Sequence, residues 1–203
     1  MSRFHGPAEG HWSPLQPHDA AKLLAQVTVP WWIAGGWALD LFLGSQTRAH
    51  DDLDVGVLRR DVIGVIMHLP GWEFFEAHSH TLYRLEVGER PRPEVSSLWC
   101  RPAGTEHWAL ELMLDDAQGE DWVFRRSSSV RLPLHSLINR TAVGIPYLRP
   151  QIQLLYKARH PRPKDYIDFE HVLRRLSTTE RAWLGDALCT VDPNHPWLTQ
   201  LRN

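Results

Sequence analysis

Asp52 and Asp54 stand one residue apart in "DDLDV". On extended backbone their side chains leave one face while Leu53, Val55 and Val57 leave the other. Two carboxylates one pleat apart repel, and a divalent cation between them removes that cost. Oxygen ligands of this kind suit Mg2+ or Mn2+, ions that bridge to substrate phosphates; a solvated strand end would explain the pair without a metal. A calcium loop of the EF-hand type does not fit, because Val57 falls where the turn glycine belongs and Ile63 where the bidentate glutamate belongs. Glu111 offers a third carboxylate in "HWALELML", on the face of Ala109 and Met113 and opposite Leu110, Leu112 and Leu114. An acid there either reaches solvent at a strand edge or faces the two aspartates as ligand or general base.

Phosphate chemistry also needs a cradle and positive charge. Gly35 and Gly36 end the run "VPWWIAGG" just before a helical pattern, where close-approaching backbone and a helix N-terminus can hold an anion; a tight strand-to-helix turn asks for the same glycines. Arg48, in the next connection, suits phosphate oxygens or a partner such as Asp51. His50 either orients Asp52 or Arg48 or is a plain turn residue. Lys157, beside Leu154 and Tyr156 on an otherwise apolar helix face, is the better phosphate candidate. Asp165 and Asp168 fall in the first turns after Pro163, where acids complement the helix dipole, with substrate contact as the second reading. Glu76, His78 and His80 in "EAHSH" lack a second ligand pair at zinc spacing.

The elements that must position these groups follow from period and punctuation. "HDAAKLLAQV" suits a helix, "VPWWIA" a buried strand, "WALDLFL" a helix closed by Gly44, "DLDVGV" a second strand and "DVIGVIMHL" a helix. "GWEFFEAHSHTLYRLEV" alternates like strands, "GERPRPEVSS" is a loop, "HWALELMLDD" a strong strand and "EDWVFRR" a weaker one. Pro150 and Pro163 open helices, and Ser177 with Glu180 has capping-box spacing. The expectation is an α+β chain: a mixed-sheet core over 18–147, a helical domain over 148–203, and a loosely held arm before about residue 17. Residues 86–107 are expected to form loops around an acceptor.

Bulk properties narrow the partners. At 203 residues and a net charge of −2, the chain lacks the broad basic face that long nucleic acid requires. No stretch approaches the roughly 20 apolar residues of a membrane helix, and the start has no signal-type run, so a cytoplasmic location is expected. Cys100 and Cys189 are widely separated and read as small buried residues. Most of the ten tryptophans are expected in the core, with one or two free to line a pocket.

Taken in order and spacing, "GGWALD", "TRAHDDLDV", "WALELML", "GIPYLRPQIQLLYKAR" and "RPKDYIDFEHVLRRL" resemble the aminoglycoside 2″-nucleotidyltransferase-like group, which includes lincosamide nucleotidyltransferases, within the polymerase-β-like superfamily. The resemblance covers roughly residues 18–203. It implies a nucleotidyltransferase core with a helical C-terminal domain, Asp52 and Asp54 as metal ligands, Glu111 as third ligand or base, Gly35 and Gly36 under a triphosphate, and Lys157 near phosphates. A serine usual in the superfamily is replaced by Gly36, and Gln151 stands where related segments carry glutamate. The implied activity is transfer of a nucleotide, AMP from ATP, to a hydroxyl of a small molecule such as an aminoglycoside or lincosamide. Two rivals stand beside it: a toxin-like transferase acting on RNA or protein, and a nucleotide-binding module without catalysis.

Overall fold

The computed structural model describes residues 4–7, 10–86 and 88–202. In chain order the elements are β1 (Phe4–Pro7), α1 (Pro17–Leu23), β2 (Trp31–Ile33), α2 (Gly35–Leu43), β3 (Asp54–Leu58), α3 (Val62–His68), β4 (Trp72–His78), β5 (Thr81–Leu85), β6 (Ser97–Pro102), β7 (Leu110–Gln118), β8 (Asp121–Val123), β9 (Arg131–Pro133), β10 (Ile138–Arg140) and β11 (Pro146–Leu148). The helices α4 (Pro150–Lys157), α5 (Pro163–Leu173), α6 (Thr178–Val191) and α7 (Trp197–Leu201) follow. The architecture is α+β, as the sequence pattern requires.

The strands form one mixed sheet in the order β1-β5-β4-β6-β7-β3-β2-β11-β10, with β8 joining β7 and β9. At its centre β3 runs parallel to β7, and Asp54 stands opposite Glu111. On its other side β3 pairs antiparallel with β2, Trp32 opposite Gly56. The glycine is needed there because a Cβ at Gly56 would overlap the Trp32 indole. Val55, Val57, Leu112 and Leu114 are fully or almost fully buried, so the alternation of these two strands sends their aliphatic side chains into the core and leaves Asp54 and Glu111 on the other face.

One apolar cluster continues from Ala20 of α1 through the sheet to Leu201 of α7. Within the helices, Phe169 and Trp197 stack with centroids 4.2 Å apart. Gly44 closes α2 at φ 78°, its N–H donating to the Asp40 carbonyl, and Ser177 and Glu180 form the reciprocal cap of α6. Among the described residues no helix is long and apolar enough to cross a membrane.

Three expectations need correction. The segment before Pro17 is not merely a loose arm: Phe4–Pro7 adds a strand against β5, and Trp12 bridges to Trp108. The stretch 86–107 is not all loop, since β6 lies inside it and joins β4 to β7. Cys100 is buried, but Cys189 is only partly so.

Candidate active site

The chain brings three carboxylates to one point. Asp54 opens β3, the Glu111 N–H of β7 donates to the Leu53 carbonyl at 2.8 Å, and Asp52 lies just before the strand. Asp52, Asp54 and Glu111 each offer an oxygen, and these oxygens all lie within 4.8 Å of one another. Burial drives the Asp54 carboxyl well above the ordinary carboxylate range, and the charges of Glu111 and Asp52 push the same way. Burial also raises Glu111, opposed by hydrogen bonds from Ser97 and Trp99. Three hard oxygen donors that resist joint ionisation form a set that a small divalent cation completes, because its charge removes the repulsion.

Opposite the carboxylates the site is basic. A cavity of about 290 Å³ runs from Gly35 and Gly36 past Asp52 and Asp54 to Tyr156 and Arg125. Arg48 grips Asp168 with Nε at 2.9 Å and Nη2 at 3.0 Å. Lys157 reaches Asp165 at 2.7 Å and Asp168 at 3.0 Å, and Arg162 meets Asp165 at 2.9 Å. The His50 ring links this network to Asp40: Nδ1 lies 3.1 Å from an Arg48 nitrogen and Nε2 lies 2.5 Å from an Asp40 oxygen. Arginine can only donate, so Nδ1 accepts and Nε2 carries the proton toward Asp40.

These contacts decide between the alternatives left open by the sequence. Arg48 pairs with Asp168 rather than Asp51, which instead lies 3.7 Å from Lys164. His50 orients Arg48. Asp165 does cap α5, accepting the Arg162 N–H at 2.9 Å, yet it also holds Lys157. The Gly35 N–H does not point to open space for an anion: it donates to Gln153 Oε1 at 2.8 Å. The Gly35–Gly36 pair has a steric reason too, since a Cβ on Gly35 would overlap the Asp54 carboxylate and one on Gly36 would crowd Arg48 and His50. Glu76 of "EAHSH" is buried and salt-bridged to Arg92 at 2.6 Å.

Other residues of the cavity wall escaped the sequence reading. Asp115, on the same face of β7 as Glu111, is buried and accepts from Tyr156 Oη at 2.5 Å and Trp122 Nε1 at 3.1 Å. Its spacing of four from Glu111 on a strand was the available signal. Gln151, which the sequence singles out, is not part of this wall: it is buried with no hydrogen-bond partner for its Oε1. Arg125, Arg126 and Arg159 also line the cavity; the first two were marked only as the adjacent pair in "FRRSSS", and Arg159 only as the end of "QIQLLYKAR".

A family model described as Aminoglycoside-2″-adenylyltransferase matches residues 18–170. Two curated proteins named 2″-aminoglycoside nucleotidyltransferase, from Escherichia coli and Klebsiella pneumoniae, are each 34% identical over 96 residues, covering 45% of this chain and 50% of the relative. The chain thus spans about half the length of the curated relatives it matches. Among solved structures it is similar to the lincosamide antibiotic adenylyltransferase LnuA in its lincomycin-bound form, with TM-score 0.53 and 18% identity over 76% of this chain and 92% of that one. It is also similar to ANT(2″)-Ia in complex with adenylyl-2″-tobramycin, with TM-score 0.54 and 14% identity over 85% and 95% of the two chains. At these identities the two structures speak to the fold.

Proposed function

The chain belongs to the aminoglycoside-2″-adenylyltransferase family, and from that premise we propose that it transfers a nucleotide, AMP from ATP, to a hydroxyl of a small molecule such as an aminoglycoside or lincosamide antibiotic. The observation that carries this reading is the convergence of Asp52, Asp54 and Glu111 beside a basic cavity. Asp52 and Asp54 are assigned as ligands of a divalent cation, Mg2+ or Mn2+, with Glu111 as third ligand or as base. When bound, such an ion lowers the pKa of a hydroxyl and neutralises phosphate charge. Gly35 and Gly36, having no side chains, let Asp54, Arg48 and His50 close in on the wall against which the triphosphate would lie, and Arg48 and Lys157 are held in place there by Asp165 and Asp168.

In the reaction, the acceptor oxygen attacks the α-phosphorus in line with the departing pyrophosphate, so one P–O bond forms as another breaks. Glu111 takes the hydroxyl proton; burial raises its proton affinity, which suits it to that task. The division into a nucleotidyltransferase core over 18–147 and a helical domain over 148–203 belongs to the same reading: the core carries the carboxylates, and α4 and α5 carry Lys157, Asp165 and Asp168. Long nucleic acid and membrane are not expected partners, and the cytoplasm is the expected location.

The deciding experiment incubates the purified chain with ATP, Mg2+ and a panel of aminoglycosides and lincosamides, and follows antibiotic mass and pyrophosphate release. An antibiotic heavier by one adenylyl group supports the reading. Pyrophosphate release without any modified antibiotic, RNA or protein in the mixture overturns it.

A further inference from the structure

We propose that Arg125, Arg126 and Arg159 form the seat for the terminal phosphates of the nucleoside triphosphate, and therefore for the pyrophosphate that leaves. This rests on the nucleotide-transfer reading above and names a part of the site that it leaves unassigned.

Charge balance is the first ground. Arg48, Lys157 and Arg162 are tied to Asp165 and Asp168, so most of their charge is already compensated. Arg125, Arg126 and Arg159 differ: among the described residues, no carboxylate lies within ion-pair distance of any of them. Arg125 acts through space on Glu111 and Asp115 without touching either, so the three arginines keep their N–H donors free of carboxylate partners.

Placement is the second ground. All three line the cavity that holds Asp52 and Asp54, and all three also line a neighbouring cavity of about 550 Å³ against Phe124, Leu188 and His195. They stand at the passage between the two. Tyr156 fixes the pair, which lies in the turn after β8: the Arg125 and Arg126 guanidinium carbons lie 5.4 and 5.6 Å from its ring centre, and Arg126 Nη1 donates to the Tyr156 carbonyl at 2.9 Å. A guanidinium has five donors, so Arg126 keeps others for a ligand. Planar forks of this kind match phosphate oxygens two at a time.

The three cations also oppose one another. Burial lowers the Arg126 guanidinium's hold on its proton, and the like charges of Arg125 and Arg159 add to this. A polyanion relieves such crowding, whereas a neutral or cationic acceptor does not.

The test is titration calorimetry on the full chain with ATP, AMP and inorganic pyrophosphate, each with Mg2+, for the wild type and for Arg125→Gln, Arg126→Gln and Arg159→Gln. Each substitution should weaken ATP and pyrophosphate by about tenfold or more, while AMP, lacking the terminal phosphates, keeps its affinity and certifies the fold. Unchanged ATP and pyrophosphate affinities would overturn the seat, and so would a loss for AMP as large as for ATP. Wild-type protein that binds none of the three would remove the nucleotide reading itself, and the seat with it.

Discussion

Gly35 approaches Asp54 so closely that the two cannot both carry a side chain: a Cβ on Gly35 would overlap the aspartate carboxylate. Gly35 also holds φ at +64°, a left-handed conformation that costs an alanine roughly 1–2 kcal/mol. Gly35→Ala should therefore lower stability in urea by at least that much and displace Asp54, with activity falling further than the stability loss explains. A variant matching wild type in both assays would refute the steric account. Gly36→Val should likewise disturb Arg48 and His50 rather than act on a bound phosphate alone.

Asp54 is half-buried beside two other carboxylates. Asp54→Asn keeps the shape and removes one like charge, so the metal-free variant should melt no lower than wild type. Mg2+ should stabilise wild type, by about 2.7 kcal/mol at a hundredfold excess over its dissociation constant, and should leave the variant's melting temperature unmoved. Transfer should drop on the order of a thousandfold or more. Retained turnover in the variant would dismiss Asp54 as a ligand.

Glu111 receives hydrogen bonds from Ser97 and Trp99 that hold its carboxylate in place. If it acts as the base, Glu111→Gln should abolish turnover while ATP still binds in the presence of Mg2+, seen by calorimetry. Loss of Mg2+ binding in this variant would make Glu111 a ligand first.

The ion network predicts acid sensitivity. Burial alone would raise Asp168, but hydrogen bonds and charge from Arg48 and Lys157 outweigh it and hold the carboxyl below its usual range; Asp165 is lowered against burial by Arg162 and Lys157. Below the ordinary carboxylate pKa these two groups bind more protons in the unfolded chain than in the folded one, so the stability they contribute is fully present at neutral pH and is lost as pH falls; Asp54 and Glu111, whose carboxyls are raised, act with the opposite sign at higher pH. Melting temperature should drop as pH falls below about 4. Asp168→Asn should lower neutral-pH stability by about 3–5 kcal/mol, by leaving Arg48 and Lys157 short of a partner, and should flatten the acid slope. An unchanged slope would mean these pairs do not govern acid unfolding.

The local signals in the sequence were strong where one residue type can do only one thing. Gly44, Pro150, Pro163 and the Ser177–Glu180 cap mark helix ends through backbone geometry, and the alternation around Asp54 and Glu111 follows from the pleat. Strands of three residues, such as β9, β10 and β11, are too short to show a period, and "SLWCRP" is hidden between proline-rich stretches although it is β6. Apart from the meeting of Glu111 with the two aspartates, pairings across the chain were not legible. Nothing near Arg48 announces Asp168, and nothing near Gly35 announces Gln153, because those partners arrive only when α4 and α5 pack against α2.

Asp54 and Glu111 are neighbours only because β3 and β7 run side by side in parallel, and α3 and the strands β4, β5 and β6 all lie between them in the chain. Parallel pairing of distant segments closes a long loop before any contact rewards it, so it is among the slower events in folding. A growing or partly folded chain therefore holds its acids scattered, without a concentrated cation trap. The cleft comes into being together with the middle of the sheet, so the order in which the chain folds also governs when it can capture an ion.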